Sequence, residues 1–511
     1  MMTKTDVGGR IDRRTFLARA AALGAAAGCP VLKLAGAYAP GQKPVMSFGA
    51  VSDLHVRISK DGKGLSHTHD CSAFLRALRW FRDVKADAVM VAGDLADTGL
   101  VPELEAVAAS WRQVFPGNKA PDGRHVEPVI ITGNHDWDAW SYDGFVFVKE
   151  LYPDEDERNR MMIYKDLKGN WERIMQEPYV PIFRKDVKGY SFVGAHWQNE
   201  RCHPKCETAF RHVPQWFEEH GAELDPSKPF FFCQHAHLQN TVYGPWAWGH
   251  DSGETTAALS KYPNAVAFSG HSHYVLTDER SIWQGAFTSV GTASLRACTT
   301  PCDEFGSAGV ENAWGGQDAY KTMKPLPETA QHGYLVRVFE DAIAFSRRDF
   351  STGRMLGGDW VMPLPAAKSK PFSFAGRLAS QKPPAFEAGA TLSVAKGKAK
   401  TRGGKAKVDG KRVTVASEVK EAVQLEFPQA SAVRETRPFV YEATFVPTAG
   451  EPVVKRVFAR GVVNPDGDYW TGDSEKIIVA LDKLPAAPLK IEVRAVSTVG
   501  AKSAPLTGEL A

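Results

Sequence analysis

Between residues 44 and 365 short apolar runs rich in β-formers alternate with stretches whose apolar positions recur at helical spacing, a pattern that predicts an α/β architecture. Beyond residue 386 the pattern changes to short runs that alternate apolar and polar positions, as at 411–415, 439–445 and 489–496. They are separated by turn signals such as Asp409-Gly410 and Pro465-Asp466-Gly467, and together they predict an all-β sandwich. Between the two lies a stretch without periodicity that contains Pro363, Pro365, Pro371, Pro383 and Pro384. Such composition reads as a linker at 366–386, leaving a first domain at 44–365 and a second at 387–511. Segments 141–180 and 296–330 read as loop insertions in the first domain.

The amino terminus follows neither pattern. Arg13-Arg14-Thr15-Phe16-Leu17 precedes an Ala-rich, weakly apolar stretch that ends near Gly28, which reads as a twin-arginine export signal over residues 1–39. Ala37-Tyr38-Ala39 fits a cleavage site, so the expected product is soluble and periplasmic or extracellular; Cys29 offers lipid anchoring as an alternative. No other apolar stretch reaches membrane-spanning length.

Composition narrows the picture. The 62 basic and 59 acidic residues among 511 nearly cancel, so no strong attraction to nucleic acid or an anionic membrane is expected and specificity must reside in a local site. A basic run from Lys396 to Arg412 reads as a solvated strand edge, with contact to a polyanionic cell surface or glycan as the other reading. Of seven cysteines, the four in the close pairs Cys202/Cys206 and Cys298/Cys302 are expected to form disulfides after export, with the spacing leaving the connectivity open, while Cys71 and Cys233 read as buried free thiols.

Candidate chemistry sits where five apolar runs end. The run at 46–51 is followed by Asp53-Leu54-His55, that at 88–92 by Gly93-Asp94, and that at 129–132 by Gly133-Asn134-His135-Asp136. The run at 230–233 leads into Gln234-His235, and that at 265–269 into Gly270-His271-Ser272-His273. In an open α/β sheet the loops beyond the carboxyl ends of the strands converge on one crevice, so all five segments can meet. Carboxylates, imidazoles and an amide oxygen without thiolate make a mixed oxygen and nitrogen field suited to Mn, Fe, Zn, Co or Ni. Asp94 is the natural bridge between two cations, and the glycines before Asp94, Asn134 and His271 allow positive φ or close backbone approach.

These blocks, in this order, resemble the calcineurin-like metallophosphoesterases. The resemblance covers roughly residues 44–365 and implies a core of two central β-sheets flanked by helices, carrying two divalent or trivalent metal ions. By position it implies that Asp53, His55 and His273 hold the first metal and Asn134, His235 and His271 the second, with Asp94 shared. It implies further that His135 stabilises or protonates the leaving group and that Asp97 orients the His135 imidazole. His237, two residues past His235, competes for the ligand role, and His235 is preferred as the first imidazole after the strand. Asp136, which completes the block, reads as a loop-capping residue or one supporting the ligands, and Asp138 is given no role. The implied reaction is hydrolysis of a small phosphate ester by a hydroxide shared between the ions. A phosphomonoesterase is the favoured reading, a phosphodiesterase acting on a nucleotide or lipid head group the alternative, and a non-catalytic surface binding protein the competing class. The carboxyl-terminal module loosely resembles a fibronectin type III or immunoglobulin-like sandwich.

Aromatic residues cluster beside these loops: Trp137, Trp140, Trp197, Tyr243, Trp246 and Trp248. Packing explains most of them, and a rim stacking on a nucleobase or sugar ring is the sharper reading. His196, at the end of the 191–195 run, reads equally as a phosphate contact or a structural histidine.

Overall fold

A computed structural model describes residues 42–137, 143–197, 210–243, 251–298, 330–400, 404–408, 411–415, 418–430, 438–459 and 474–511. The first domain is a mixed α/β core built on two six-stranded sheets. One contains β1 (Met46–Val51), β2 (Ala88–Ala92), β3 (Glu127–Ile131), β10 (His332–Val338), β11 (Ala342–Asp349) and β12 (Trp360–Pro363), in the order β12-β11-β10-β1-β2-β3. The other contains β4 (Ile182–Val187), β5 (Tyr190–Ala195), β6 (Phe230–Cys233), β7 (Ala265–Ser269), β8 (Ile282–Gln284) and β9 (Thr288–Gly291), in the order β4-β5-β6-β7-β9-β8. In each sheet a set of neighbouring strands runs parallel: β1 with β2 and β2 with β3, β5 with β6, β6 with β7 and β7 with β9.

Successive side chains of a strand face opposite sides, which explains why these runs are continuously apolar. Met46, Phe48 and Ala50 of β1, with Ala88, Met90 and Ala92 of β2, meet Phe192, Phe231, Cys233, Val266 and Phe268 of the second sheet in one buried core. Phe48 lies edge-on to Phe192, Phe231 and Phe268 at 5.0, 4.7 and 5.6 Å between ring centres. The alternate positions Val89, Val91 and Ile130 pack on helices α1 (Ser72–Asp83) and α2 (Val101–Val114). On the far side Val193, Phe230, Phe232, Ala265 and Ala267 pack with Val213, Phe217, Ala258 and Leu259. The result is two sheets face to face, each backed by helices, with the carboxyl ends of both sets of parallel strands opening at one edge.

Two segments differ from expectation. Residues 143–175 are not a loop but helices α3 (Asp143–Leu151), α4 (Glu155–Met161) and α5 (Leu167–Met175), with a 3-10 turn at Ile163–Asp166. They are short, and α4 buries none of its residues, so no helical period shows in its charged sequence. Residues 366–386 are not a free linker. Phe372 is built into the core between the sheets, its backbone pairs with Gln284, and α8 (Phe374–Ser380) presents Arg377 to the carbonyls of Glu279 and Ile282. α6 (Val213–His220) and α7 (Glu254–Leu259) complete the helical set.

The second domain consists of antiparallel sheets. β13 (Ser393–Lys400), β16 (Val419–Pro428) and β19 (Ser474–Ala480) form one, and β17 (Val440–Pro447), β18 (Val453–Phe458), β20 (Leu489–Val496) and β21 (Leu506–Leu510) another. β14 (Gly404–Val408) and β15 (Lys411–Val415) pair as a separate hairpin. Val423, Leu425 and Phe427 of the first sheet share a buried core with Tyr441, Ala443, Ile491 and Val493 of the second, which makes this a sandwich. The basic run begins on β13, an edge strand, where Lys396 and Lys398 are exposed.

The domains meet at a buried charge. Arg280 and Asp278 are both fully buried and paired at 2.5 Å, and the Arg280 guanidinium lies 4.3 Å over the ring of Phe439. Arg280→Ala leaves Asp278 as an unpaired buried anion, so it should destabilise the full chain by about 3–5 kcal/mol in urea unfolding. A loss under about 1 kcal/mol, the size typical of exposed pairs, would contradict this.

Candidate metal centre

All five segments picked out in the sequence open at the shared edge of the two sheets. Asp53 and His55 leave β1, Asp94 leaves β2, Asn134 and His135 leave β3, His235 leaves β6, and His271 and His273 leave β7. The chain bends sharply at each point: Asp53, His55, Asp94, His271 and His273 have φ of 53°, 44°, 53°, 70° and 58°. Left-handed backbone is unfavourable for side-chain-bearing residues, and where it clusters it marks a site held by its surroundings. The preceding glycines make the approach possible. A Cβ on Gly93, whose φ is 87°, would stand 2.6 Å from Nδ1 of His235; one on Gly133 would strike the Asp94 carboxylate, and one on Gly270 that of Asp53.

The donors fall into groups. Ligand atoms of Asp53, His55 and His273 lie within 4.8 Å of one another, and so do those of Asp94, His235 and His271. In the first group His273 Nε2 is 3.0 Å from Asp53 Oδ1 and 3.0 Å from His55 Nε2. In the second, His235 Nε2 is 3.1 Å from Asp94 Oδ2 and 3.3 Å from His271 Nδ1. Asp94 also reaches the first group, its Oδ2 lying 3.5 Å from His55 Nε2. Asn134 Oδ1 is buried and has no hydrogen-bond partner among the described residues. A buried amide oxygen without a donor is costly, and a cation satisfies it.

Outer contacts select the tautomers. His235 Nδ1–H donates to the Ala92 carbonyl at 2.7 Å, and His55 Nδ1–H to Asp97 Oδ1 at 3.0 Å, so each directs an Nε2 lone pair inward. This is the arrangement that metal-binding imidazoles require. Charge points the same way. Burial disfavours the His55 cation, yet Asp53, Asp97 and Asp94 push its pKa up to about 10. Burial likewise opposes charge on His235, and Asp94 and Asp53 raise it to about 9. Burial would raise Asp53, but His273 and His55 hold it well below the carboxylate range; Asp94 is held at about 2, against burial, by His235 and His135. The buried carboxylates thus call for positive charge, and these donors fit a bound cation.

Asp97 differs from expectation. Its carboxylate binds His55 and, at 3.4 Å, Arg57; its backbone carbonyl is what accepts from His135 Nδ1–H, at 2.8 Å. The backbone N–H of His135 in turn donates to Asp94 Oδ1 at 2.9 Å, and its ring stands edge-on to His55 at 4.5 Å. Asp136 is buried and ties two loops together, accepting from the N–H groups of Leu95, Ala96 and Gly133; burial and the Asp94 charge raise it to about 7.

His196 lies away from the donors. Its Nδ1 accepts from the Thr132 N–H, its ring packs at 4.7 Å on both Trp171 and Tyr179, and burial lowers its pKa to about 3. Trp197 and Tyr243 are buried. Trp140, Trp246, Trp248, Asp138, Cys202, Cys206 and Cys302 lie outside the described residues, while Cys298, expected in a disulfide, is a buried free thiol, as are Cys71 and Cys233.

The sequence reading missed the strap after β9. The Ser52 hydroxyl donates to Asp53, Thr292 donates to Ser52 at 2.6 Å, and the backbone carbonyl of Asp53 accepts from the Ser294 hydroxyl and the Arg296 N–H, each at 3.1 Å. Its signal was present in the small hydroxyl residues Thr288, Ser289, Thr292 and Ser294, which follow the same strand-then-polar pattern without a ligand type.

Two outcomes follow from this geometry. Gly93→Ala should cut bound metal while circular dichroism stays native, because the new methyl displaces the His235 ring; full metal content would contradict the close approach. In the metal-free site His55 and His235 hold protons up to about pH 10 and 9, and a cation must displace them. Metal affinity should therefore fall as pH drops below that range, and calorimetry in buffers of different ionisation enthalpy should show protons released on binding. Uptake without proton release would contradict the charge argument.

Comparison with known proteins adds the family. Residues 46–275 match the family model described as Calcineurin-like phosphoesterase. No curated protein matches the chain. Among solved structures, a dimetal phosphatase from Danio rerio is 12% identical with a TM-score of 0.36, over 63% of this chain and 99% of the other. A purple acid phosphatase from yellow lupin (Lupinus luteus) seeds is 14% identical with a TM-score of 0.35, over 63% of this chain and 54% of the other. A predicted phosphoesterase from Streptococcus pneumoniae is 11% identical with a TM-score of 0.26, over 62% of this chain and 97% of the other. With five ligand-bearing loops gathered at one edge and all of them inside the matched span, residues 46–275 belong to a calcineurin-like phosphoesterase domain, and the chain is a metal-dependent phosphoric ester hydrolase.

Proposed function

We propose that this protein is an exported phosphomonoesterase working with two metal ions. The observation that carries the reading is the position of Asp94 between the groups, 3.5 Å from His55 Nε2 and 3.1 Å from His235 Nε2. Asp53, His55 and His273 would hold one ion and Asn134, His235 and His271 the other, with Asp94 shared; the mixed oxygen and nitrogen donors suit Mn, Fe, Zn, Co or Ni. Such a pair supplies an activated water at neutral pH and offsets charge on the phosphoryl oxygens.

The chain's own groups do the rest. Hydrolysis forms a bond from a water oxygen to phosphorus and breaks the bond to the leaving oxygen, which must gain a proton. His135 is placed for that delivery. The Asp97 carbonyl holds its Nδ1–H, and in this reading Nε2 carries and releases the proton. The Asp94 contact to the His135 backbone fixes this residue relative to the shared carboxylate.

A phosphodiesterase using the same residues is the second reading, and a surface binding protein the third, against which the intact donor set speaks. Export rests on the Arg13-Arg14 segment, and a contact between the sandwich domain and a cell surface or glycan rests on exposed Lys396 and Lys398. No described helix is long and apolar enough to cross a membrane.

Assays on p-nitrophenyl phosphate and its bis-ester with metal-loaded protein separate the readings: the monoester should turn over faster. His135→Ala should lower kcat about 100-fold or more at unchanged metal content. Wild-type turnover in that variant would remove His135 from the reaction, and an inert metal-loaded wild type would remove the enzyme.

A further inference from the structure

His237 stands two residues beyond His235 and belongs to neither donor group. It is almost wholly buried, and both ring nitrogens are engaged: Nδ1 with the Ser269 hydroxyl at 2.7 Å and Nε2 with the Ser272 hydroxyl at 2.6 Å. Ser269 is the last residue of β7, and Ser272 sits between His271 and His273. One imidazole on the β6 loop therefore grips the start and the middle of the turn that carries two proposed ligands of the neighbouring loop.

That turn needs holding. His271 and His273 both lie in left-handed backbone, an unfavourable conformation that persists only where the surroundings impose it. The Ser272 hydroxyl also faces the N–H of Tyr274 at 3.3 Å, so the imidazole and the backbone beyond the turn meet at the same oxygen. The other face of His237 is closed by the Tyr243 ring at 5.2 Å, whose own N–H is bonded to the Arg280 carbonyl. Each ring nitrogen meets a serine hydroxyl, a group that can donate or accept, so either tautomer of His237 makes both bonds.

We infer that His237 is a positioning residue that locks the Gly270-His271-Ser272-His273 turn into its metal-ready shape by bridging Ser269 and Ser272. This rests on the proposed metal reading and adds to it the device that sets how tightly the turn's imidazoles are presented. Outer groups that orient ligands change metal affinity by about 10–100-fold when removed. The effect of His237 runs through His271 and His273.

The test uses the full chain, stripped of metal and titrated with Zn or Mn against a chromogenic chelator, with the melting temperature of the stripped protein measured alongside. His237→Phe keeps the ring and removes both bonds; Ser272→Ala removes the bond to the turn. Each should weaken binding of the weaker-held ion about 10–100-fold while the stripped proteins melt together with wild type. The double variant should bind no worse than the poorer single, because Ser272→Ala breaks a bond that His237→Phe has already removed. His237→Gln, whose amide overlaps Nε2, should recover most of the affinity, and His237→Asn, whose amide overlaps Nδ1, should not. Wild-type affinity in His237→Phe and Ser272→Ala would overturn the inference, as would a loss that follows the melting temperature or an equal loss in Gln and Phe. Wild-type protein that takes up no metal would instead overturn the metal reading beneath it.

Discussion

Two carboxylates, Asp53 and Asp94, are buried among imidazoles at the mouth of two facing sheets, and the rest of the structure is arranged around that burial. An isolated anion in a low-dielectric interior is too costly to keep. Here it persists because His55, His235, His271 and His273 surround it and because the cluster as a whole invites cations. Five of the seven proposed ligands also sit in left-handed backbone, so both charge and conformation are unfavourable until the site is filled. Metal binding, if it occurs as proposed, offsets both at once.

Holding such a site requires polar anchors beneath it. Asp136 joins the loops after β2 and β3, Ser52 and Thr292 join those after β1 and β9, and His237 joins those after β6 and β7. Glu103 does the same farther out, accepting from the N–H groups of Ile58, Thr98 and Leu100 while burial raises its pKa to about 7. Each anchor crosses between strands, so no donor loop is free to relax alone. The buried Arg280–Asp278 pair extends the same principle to the sandwich domain, whose Phe439 ring lies over the Arg280 guanidinium.

The two-sheet core and the positions of the donors were legible because a parallel strand buried on both faces leaves a continuous apolar run and must then end abruptly in polar chemistry. Met46–Val51 followed by Asp53 and His55 shows both features in one short stretch. What was not legible lay where local pattern is weak. α4 carries Glu155-Asp156-Glu157-Arg158 and buries nothing, so nothing in its period marks a helix. Phe372 is one aromatic in a proline-rich stretch, yet it enters the core and turns an expected linker into part of the domain. How Asp97 meets His135 was not legible for a different reason: the contact runs through its carbonyl, and a backbone atom leaves no residue-type signature. His237 was visible as a rival ligand, and only its two hydroxyl partners show what it does.

Anomalous diffraction from crystals grown with Mn or Zn addresses the central claim directly. The account predicts two peaks per chain a few ångströms apart, one among Asp53, His55 and His273 and the other among Asn134, His235 and His271, with the Asp94 carboxylate between them. A single peak, or none under saturating metal, would contradict it.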